Sequence, residues 1–400
     1  MAPWDALSLD ETALLQAVFW SEGSSRFTLS DRLEFSKSKT NSLVAGLLDV
    51  GLLEESGLRG STGGRRPETL SLSPSLGVLI GVDLGATSLD VAILRPDLTV
   101  LARHTEAADV RSGPSVVLAR LRVLMRQLLT QCGVTPKQVI AIGMGVPGPV
   151  DFESAQLVNP PLMPEWDSFS IRDYLCEDYS APLFVDNDVN LMALGELWRL
   201  QRGLQNFLVI KVGTGIGCGI VCRGEVYRGA NGSAGDVGHI CVDVEGPRCH
   251  CGNLGCVEVM AAAPAIVRSA MLAVESGHSP MLAASLANNG VITPEDVGQA
   301  SRNGDAAANR IIQEAGSLIG QMLASLVNFF NPSHVFIGGG LTRIGPLLLA
   351  SVRQSVYHRS LALSTRHLEI QYTPLADRAG VTGAGVLAMQ ETLKHRKSLV

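Results

Sequence analysis

Three cysteines and a histidine near the middle of the chain have the spacing of a metal site. Cys249-x-Cys251-Gly-x-x-Gly-Cys256 follows His239, and the glycines allow the sharp turns that bring close ligands together. Three thiolates and one imidazole complete a tetrahedron, so we predict a structural zinc ion with no open position. His250 is a competing ligand, although its place between two ligand cysteines would point it away. The alternative is a set of reduced, buried cysteines.

Carboxylates and an amide suited to a polyol stand where a predicted strand meets a helix. The strand Leu183-Phe-Val185 runs directly into Asp186, Asn187 and Asp188. A carboxylate at such a point can accept a hydroxyl proton, and the adjacent amide can fix a polyol. A solvated helix cap explains the same residues equally well. Glu258 follows the last cysteine by two residues, so the metal loop would hold it rigidly.

Three glycine-rich turns, each at the end of a predicted strand, point to a nucleotide. Asp83-Leu-Gly-Ala-Thr87 offers a carboxylate for a metal-bound water and a hydroxyl for a phosphate. Gly213-Thr-Gly-Ile-Gly-Cys-Gly219 is the second turn, and it matches neither the dinucleotide fingerprint nor a Walker loop. Gly338-Gly-Gly340 is the third. One such turn arises by chance, but three together predict a nucleotide cleft between two similar lobes.

The first 75 residues predict a winged helix-turn-helix. Three helices, opening near Ser8, Thr28 and Ser36, precede two short strands around a Gly- and Arg-rich turn. The third helix begins with small polar residues and lysines, as helices that enter the major groove do, and the turn could contact phosphates or the minor groove. This segment has 7 basic and 10 acidic residues, so a solvated helix and hairpin is the alternative. The predicted DNA-binding residues are Lys37, Ser38, Lys39, Thr40, Asn41, Arg65 and Arg66.

Beyond residue 75 the hydrophobic pattern is that of an α/β protein. Buried strands alternate with amphipathic helices from residue 78, and a second series of strands begins at Phe207. The longer predicted helices are 115–131, 189–202, 262–276 and 306–330. We therefore divide the chain into the winged helix-turn-helix (1–75), a first α/β lobe (76–195, with a C-terminal helix at 384–400) and a second α/β lobe that contains the zinc site (196–383).

Composition limits the class of protein. The 400 residues are 46% hydrophobic and 18% charged, which excludes a mainly disordered chain. A net charge of −6 argues against a basic surface over the whole molecule, though not against a local basic patch. The N-terminus lacks a signal-peptide pattern, and the uncharged stretch 315–342 contains polar residues and glycines, so we interpret it as a buried helix and strand. We expect a cytoplasmic protein that does not bind membranes.

Taken together, these motifs resemble the ROK family of repressors, open reading frames and sugar kinases over nearly the whole chain. The resemblance rests on the three glycine-rich turns and the cysteine motif with Glu258, together with Gly145-Val-Pro-Gly148, Asp186-Asn-Asp188 and Gly238-His239. The Gly-Gly-Arg-Arg-Pro turn of the predicted wing is similar to the branch that contains the xylose and N-acetylglucosamine repressors. The family implies an actin-like sugar-kinase fold, in which two α/β lobes close over a cleft.

The resemblance also implies roles for individual residues of that cleft. Asp188 would hold sugar hydroxyls and would be the catalytic base in a kinase, and His239 would be both zinc ligand and sugar neighbour. Family kinases usually have Glu where this chain has Asp236, and Gly and Lys where it has Ala86 and Ser88. The sugar-binding residues therefore match the family pattern better than the ATP-binding residues do. The implied sugar-binding residues are Asn187, Asp188, Asp236, His239 and Glu258, and the implied ATP-binding residues are Asp83, Thr87, Thr214, Gly215 and Gly339.

The sequence therefore favours a sugar-responsive transcriptional regulator, a repressor of carbohydrate-utilisation genes. A homodimer or tetramer would bind a palindromic double-stranded operator, and a sugar or sugar phosphate in the cleft would change that binding. An active sugar kinase with a DNA-binding domain, which would use ATP and Mg²⁺, is the first alternative. A zinc-stabilised scaffold that binds partners but no sugar is the second.

Overall fold

A computed structural model describes residues 7–21, 23–58, 68–160 and 162–394, and for residues 56–58 and 68 it describes the backbone alone. In these ranges no helix is both long and apolar enough to cross a membrane. The uncharged stretch 315–342 forms the second half of a long helix that ends at Phe330 and then the strand His334–Gly338. The prediction of a helix followed by a strand is confirmed there.

The N-terminal unit consists of three helices and a two-stranded antiparallel sheet. The predicted capping box is present, since Ser8 Oγ accepts from Glu11 N at 3.2 Å while Glu11 Oε2 accepts from Ser8 N at 2.7 Å. The elements are α1 (Leu9–Phe19), α2 (Arg26–Arg32), α3 (Lys37–Asp49), β1 (Leu53–Leu58) and β2 (Glu68–Leu72). Arg65 and Arg66, the predicted residues of the wing, lie outside the described residues.

The first of two larger sheets has five strands in the order β5-β4-β3-β6-β9, with β3, β6 and β9 parallel. Four of its strands, β3, β4, β6 and β9, are mostly apolar and buried because helices cover both faces, whereas the edge strand β5 is mostly exposed. The elements of this part are β3 (Val78–Leu84), β4 (Ser88–Leu94), β5 (Val100–Ala107), α4 (Pro114–Gln131), β6 (Val139–Val146), β7 (Val150–Asp151), β8 (Gln156–Leu157), α5 (Ile171–Cys176), β9 (Leu183–Asn187) and α6 (Asp188–Arg199).

The second large sheet has the order β12-β11-β10-β13-β14, with β10, β13 and β14 parallel. Its elements are β10 (Phe207–Val212), β11 (Ile216–Cys222), β12 (Glu225–Val226), α7 (Val257–Ala261), α8 (Ala263–Glu275), α9 (Pro280–Asn289), α10 (Pro294–Arg302), α11 (Ala306–Phe330), β13 (His334–Gly338), α12 (Pro346–Arg359), α13 (Ala362–Thr365), β14 (Glu369–Tyr372) and α14 (Ala379–Lys394). The longer predicted helices match α4, α6, α8 and α11 to within a few residues at each end.

Helices α6 and α14 pack together between the two sheets. Glycines permit the contact, since a Cβ on Gly383 would lie 1.7 Å from Leu191 O and one on Gly143 would lie 1.9 Å from Ala384 O. The division that we predicted after residue 195 therefore falls inside α6. The predicted C-terminal helix begins at Ala379 rather than at residue 384, and its described part ends at Lys394.

Candidate functional site

A cleft of about 970 Å³ lies between the two large sheets. Parallel strands of both sheets end at it, and the carboxyl ends of such strands are where α/β proteins place their ligands. The structure brings the predicted sugar and nucleotide residues together here, although they come from separate segments of the chain. The residues of these predictions that line the cleft are Asp83, Thr87, Asn187, Asp188, Thr214, Gly215, Asp236, His239, Glu258 and Gly339.

Asn187 is both a helix cap and a cleft residue. Its Oδ1 accepts from Val189 N at 3.0 Å as the N-cap of α6, and its Nδ2 donates to Gly148 O at 2.9 Å. The two interpretations of this residue, helix cap and polyol ligand, are therefore compatible. One amide hydrogen remains available for a ligand.

Asp188 forms a close ion pair with Lys211, which the sequence analysis did not single out. Lys211 Nζ lies 2.6 Å from Asp188 Oδ2, and the two side chains are only 22% and 11% exposed. Burial alone would lower the pKa of Lys211, but the neighbouring carboxylates of Asp188 and Asp83 raise it, so the ammonium stays charged. A lysine inside the otherwise apolar strand β10 was the signal that could have identified it.

Strand alternation explains why Asp83 and Lys211 face the same space. Leu208 and Ile210 of β10 pack toward the outer helices, whereas Phe207 and Val209 pack toward the central layer that contains α6. Lys211 continues the inward series at the end of the strand. On β3, Leu79 belongs to the same inward cluster, and Asp83 stands in register with it.

Asp83 has a buried carboxylate oxygen without a hydrogen-bond partner in the described structure, Oδ1. Burial raises its pKa to about 6 from a usual value near 3.8; Lys211 opposes this shift, and the negative charge of Asp188 adds to it. The start of α14 closes over the group, since a Cβ on Gly380 would lie 1.9 Å from Asp83 Oδ2. The space beside this carboxylate therefore requires glycine at position 380.

The raised pKa of Asp83 predicts a pH dependence of stability. The folded chain binds this proton more tightly than the unfolded chain, so stability from Asp83 falls as pH rises from about 4 to about 6 and is then constant. Asp83→Asn should therefore gain about 1–3 kcal/mol relative to wild type between pH 4 and pH 7, as measured by guanidinium unfolding. Asp49→Asn, at an exposed position of α3, is the control. A wild-type to Asp83→Asn difference that does not change with pH would contradict the assignment.

Glu258, which follows the metal loop, holds the second glycine-rich turn in place. Glu258 Oε2 accepts a hydrogen bond from Ile216 N at 3.0 Å, so part of this carboxylate is committed to the turn.

Gly339 has φ +94°, and a Cβ there would lie 2.4 Å from Val212 O. Asp236 is exposed at the cleft wall, immediately before the 3₁₀ turn Val237–His239.

The predicted metal ligands converge. The ligand atoms of His239, Cys249, Cys251 and Cys256 all lie within 4.8 Å of one another, and the cluster could hold a metal ion. The Cys249 Sγ–His239 Nδ1 and Cys251 Sγ–Cys256 Sγ distances are both 3.6 Å. Tetrahedral zinc bonds of about 2.3 Å to sulfur and 2.0–2.1 Å to nitrogen place ligand atoms at about that separation. His250, the competing ligand, is exposed and lines the cleft instead.

A second ion pair missed by the sequence analysis joins the two halves of the molecule near the cleft. Arg228, which follows β12, donates from Nε to Asp186 Oδ2 at 2.9 Å, and its guanidinium lies 4.3 Å from the centre of the Phe152 ring. Asp186 is 2% exposed and also accepts from Asn190 Nδ2 at 2.9 Å. Asp186 is thus a structural link between the lobes.

Four of the predicted DNA-binding residues are exposed on the first turns of α3, namely Lys37, Ser38, Lys39 and Asn41. Lys39 also lies 2.8 Å from Asp10 and over the ring of Phe35. Thr40 requires a correction. Its side chain is 1% exposed, on the same helix face as the buried Val44 and Leu47, so it is not available to DNA.

Comparison with known proteins places this architecture in a family. The sequence model of the ROK family matches residues 79–391. A putative xylose repressor from Caldicellulosiruptor sp. (strain Rt8B.4) is 30% identical over 389 residues, which cover 96% of this chain and 96% of that protein.

Two solved structures are similar over long stretches. A ROK family transcriptional regulator, a homologue of the E. coli MLC protein, has a TM-score of 0.80 at 26% identity, with 97% of each chain covered. A ROK family glucokinase from Streptomyces griseus, in complex with glucose and AMPPNP, has a TM-score of 0.70 at 28% identity. That comparison covers 78% of this chain and 100% of the glucokinase chain.

Proposed function

The chain belongs to the ROK family, and we propose that it is a sugar-responsive transcriptional repressor of carbohydrate-utilisation genes. Its two α/β lobes have the actin-like sugar-kinase fold of that family. The observation that best supports a repressor is the length of this chain over which similar regulators match it. The similar xylose repressor and the similar regulator each match at least 96% of this chain, N-terminal helices included, whereas the family model begins at residue 79.

The N-terminal unit is proposed as the DNA-binding domain, a winged helix-turn-helix over residues 1–75. Helix α3 begins with an N-cap, Ser36, and presents exposed polar and basic side chains on its first turns, which is the part of a recognition helix that enters the major groove. The two α/β lobes would form the effector domain. Two copies of the chain would bind a palindromic operator, as a dimer or as a pair of dimers.

The effector would reach the DNA-binding unit through the two central helices. Helix α6 begins at Asp188 in the cleft, and Arg202, just after its end, lies 4.1 Å from the ring of Trp20. Helix α14 begins beside Asp83, and Leu393 O near its end accepts from Gln16 Nε2 of α1 at 3.5 Å. A shift of either helix on sugar binding would therefore move the N-terminal unit directly.

The metal of the cysteine cluster is proposed to be zinc. Three thiolates and one imidazole suit that ion, and the separations of the ligand atoms fit its bond lengths. The ion would fix the loop from which Glu258 reaches the second glycine-rich turn. Zinc would therefore shape the sugar side of the cleft without taking part in chemistry.

The kinase alternative does not fit the described residues as well. A kinase of this fold needs Mg²⁺ at the nucleotide side and a free carboxylate as base. Here the Lys211 ammonium already pairs with Asp188 at 2.6 Å and is close enough to Asp83 to affect its pKa. Because a cation of the protein already pairs with the carboxylate that would act as base, the described residues favour the repressor over the kinase.

Replacing Lys37 with alanine tests the DNA-binding proposal. Duplexes selected from a random library with the full chain provide the ligand, and affinity is measured as a function of salt. If Lys37 contacts one phosphate, its loss should weaken binding. The slope of log affinity against log salt concentration should also become shallower by about 0.9 for each DNA-binding domain that is bound. Lys137→Ala, an exposed lysine before β6, should leave both unchanged. A chain that selects no sequence from the library would contradict the proposal itself.

A further inference from the structure

The charge of the cleft bears on which ligand it accepts. Eight aspartates and glutamates line it, against three lysines and arginines. A ligand that enters therefore meets a wall with an excess of negative charge, and low-dielectric surroundings strengthen that field.

Each of the three cations is paired within the described structure. Lys211 pairs with Asp188 at 2.6 Å, Arg103 lies 2.6 Å from Asp90 and 3.1 Å from Asp377, and Arg343 Nε lies 2.9 Å from Glu295. Arg343 is 66% exposed and bonds Glu295 through Nε alone, whereas the Lys211–Asp188 and Arg103–Asp90 pairs are largely buried. A phosphate or carboxylate that took Lys211 or Arg103 would have to break a largely buried pair. Breaking a buried pair leaves its carboxylate uncompensated.

Three backbone donors of the glycine-rich turns are committed as well. Gly85 N donates to Ser88 O at 2.8 Å, Gly213 N donates to Gly215 O at 2.9 Å, and Ile216 N donates to Glu258 at 3.0 Å. Free N–H groups in turns are what form an anion-binding concavity. These three donors of the turns already have acceptors within the protein.

The carboxylates, by contrast, suit hydroxyl groups. Asp236 is exposed at the wall, and Asp188 retains acceptor capacity beyond its bond to Lys211. An ionised carboxylate accepts from sugar hydroxyls without needing a cation on the ligand. The ammonium of Lys211, 2.6 Å from Asp188 Oδ2, holds this carboxylate in place for that task.

From these contacts we infer that the effector is a neutral, unphosphorylated sugar, and that Lys211 is the positioning residue that lets the two carboxylates bind it without a metal ion or nucleotide. This inference rests on the proposed function, since it names the class of effector for the same cleft. It excludes sugar phosphates, which the sequence alone left open.

The test compares neutral sugars with their phosphate esters on the same protein. Zinc-replete, full-length chain is titrated calorimetrically with a panel of pentoses, hexoses and N-acetylamino sugars, each beside its phosphate ester, with and without Mg²⁺. We expect one or more neutral sugars to bind, the matching ester to bind at least about tenfold more weakly, and Mg²⁺ to have no effect.

Lys211→Met adds a readout that a purely structural role would not give. Removing the ammonium should weaken binding of the neutral sugar. It should weaken binding of the ester still more, because the site becomes more negative by one charge. Lys137→Met, outside the cleft, is the matched control. If Lys211→Met does not fold, the comparison of sugar and ester on wild type still decides the matter.

Two failures are distinguishable. An ester that binds as tightly as its sugar, or more tightly, and loses affinity in Lys211→Met would overturn the inference, because Lys211 would then be a phosphate ligand; the repressor proposal would stand. A panel in which neither sugars nor esters bind would overturn the proposed function itself.

Discussion

Replacing Cys251 with serine is expected to remove the metal and to destabilise the second lobe severely. Four ligands within 4.8 Å of one another leave no spare donor, so the loss of one thiolate opens the site. Structural zinc contributes its binding free energy to folding, and we expect a loss of about 3–5 kcal/mol, or roughly 10 °C in melting temperature. Elemental analysis should find about one zinc per wild-type chain and little in the Cys251→Ser variant.

The control for this substitution is Cys176→Ser. Cys176 is exposed at the end of α5 in the first lobe, away from the cluster. That variant should keep both its metal and its melting temperature. Freshly purified wild-type protein without bound metal would contradict the zinc proposal whatever the variants do.

Asp188→Asn is expected to abolish the response to sugar while leaving the DNA affinity of the sugar-free protein nearly unchanged. A hydrogen bond to a charged acceptor contributes about 1.5–3 kcal/mol, so sugar affinity should fall by about 10- to 150-fold. Asp188 lies in the cleft and not in the N-terminal unit, which is why operator binding should persist. Titration of sugar into the protein–duplex complex measures both effects.

The partner of Asp188 requires its own control. Asp188→Asn leaves the Lys211 ammonium without its nearest carboxylate, and an uncompensated buried charge can unfold a protein. The double variant Asp188→Asn/Lys211→Met removes both charges and should restore stability without restoring sugar affinity. Recovery of sugar affinity in the double variant would mean that charge balance alone, rather than the Asp188 carboxylate, determines binding.

The same variant separates repressor from kinase. Wild-type protein with sugar, ATP and Mg²⁺ should show little or no ADP formation. Turnover at an ordinary kinase rate of about 1–100 per second, lost in Asp188→Asn, would establish the kinase alternative instead.

Features that depend on neighbours in sequence were predictable here. The metal cluster is an example, since three of its ligands fall between Cys249 and Cys256 and two glycines of the loop, Gly252 and Gly255, adopt positive φ angles of +95° and +61°. The capping box at Ser8 is another, because its two hydrogen bonds span only three residues.

Features that depend on contacts between elements were not predictable in the same way. Lys211 and Asp188 are 23 residues apart, on a strand and a helix, and no local pattern joins them. Thr40 shows the opposite case, because its spacing to Val44 and Leu47 placed it on the buried face of α3. The polarity of Thr40 predicted exposure, but its position in the helix repeat determines its burial. The start of α14 is a further example, because Gly380 lies against Asp83, which is distant in sequence.

The central claim, that a sugar in the cleft controls DNA binding, is tested most directly by the affinity of the full chain for a selected duplex with and without neutral sugar. Fluorescence anisotropy at fixed salt is the measurement. A coupling free energy of about 1–3 kcal/mol predicts that the sugar weakens duplex binding by about 5- to 150-fold. A sugar that binds in the cleft, as shown by loss of its binding in Asp188→Asn, but leaves the affinity for DNA unchanged would contradict the account.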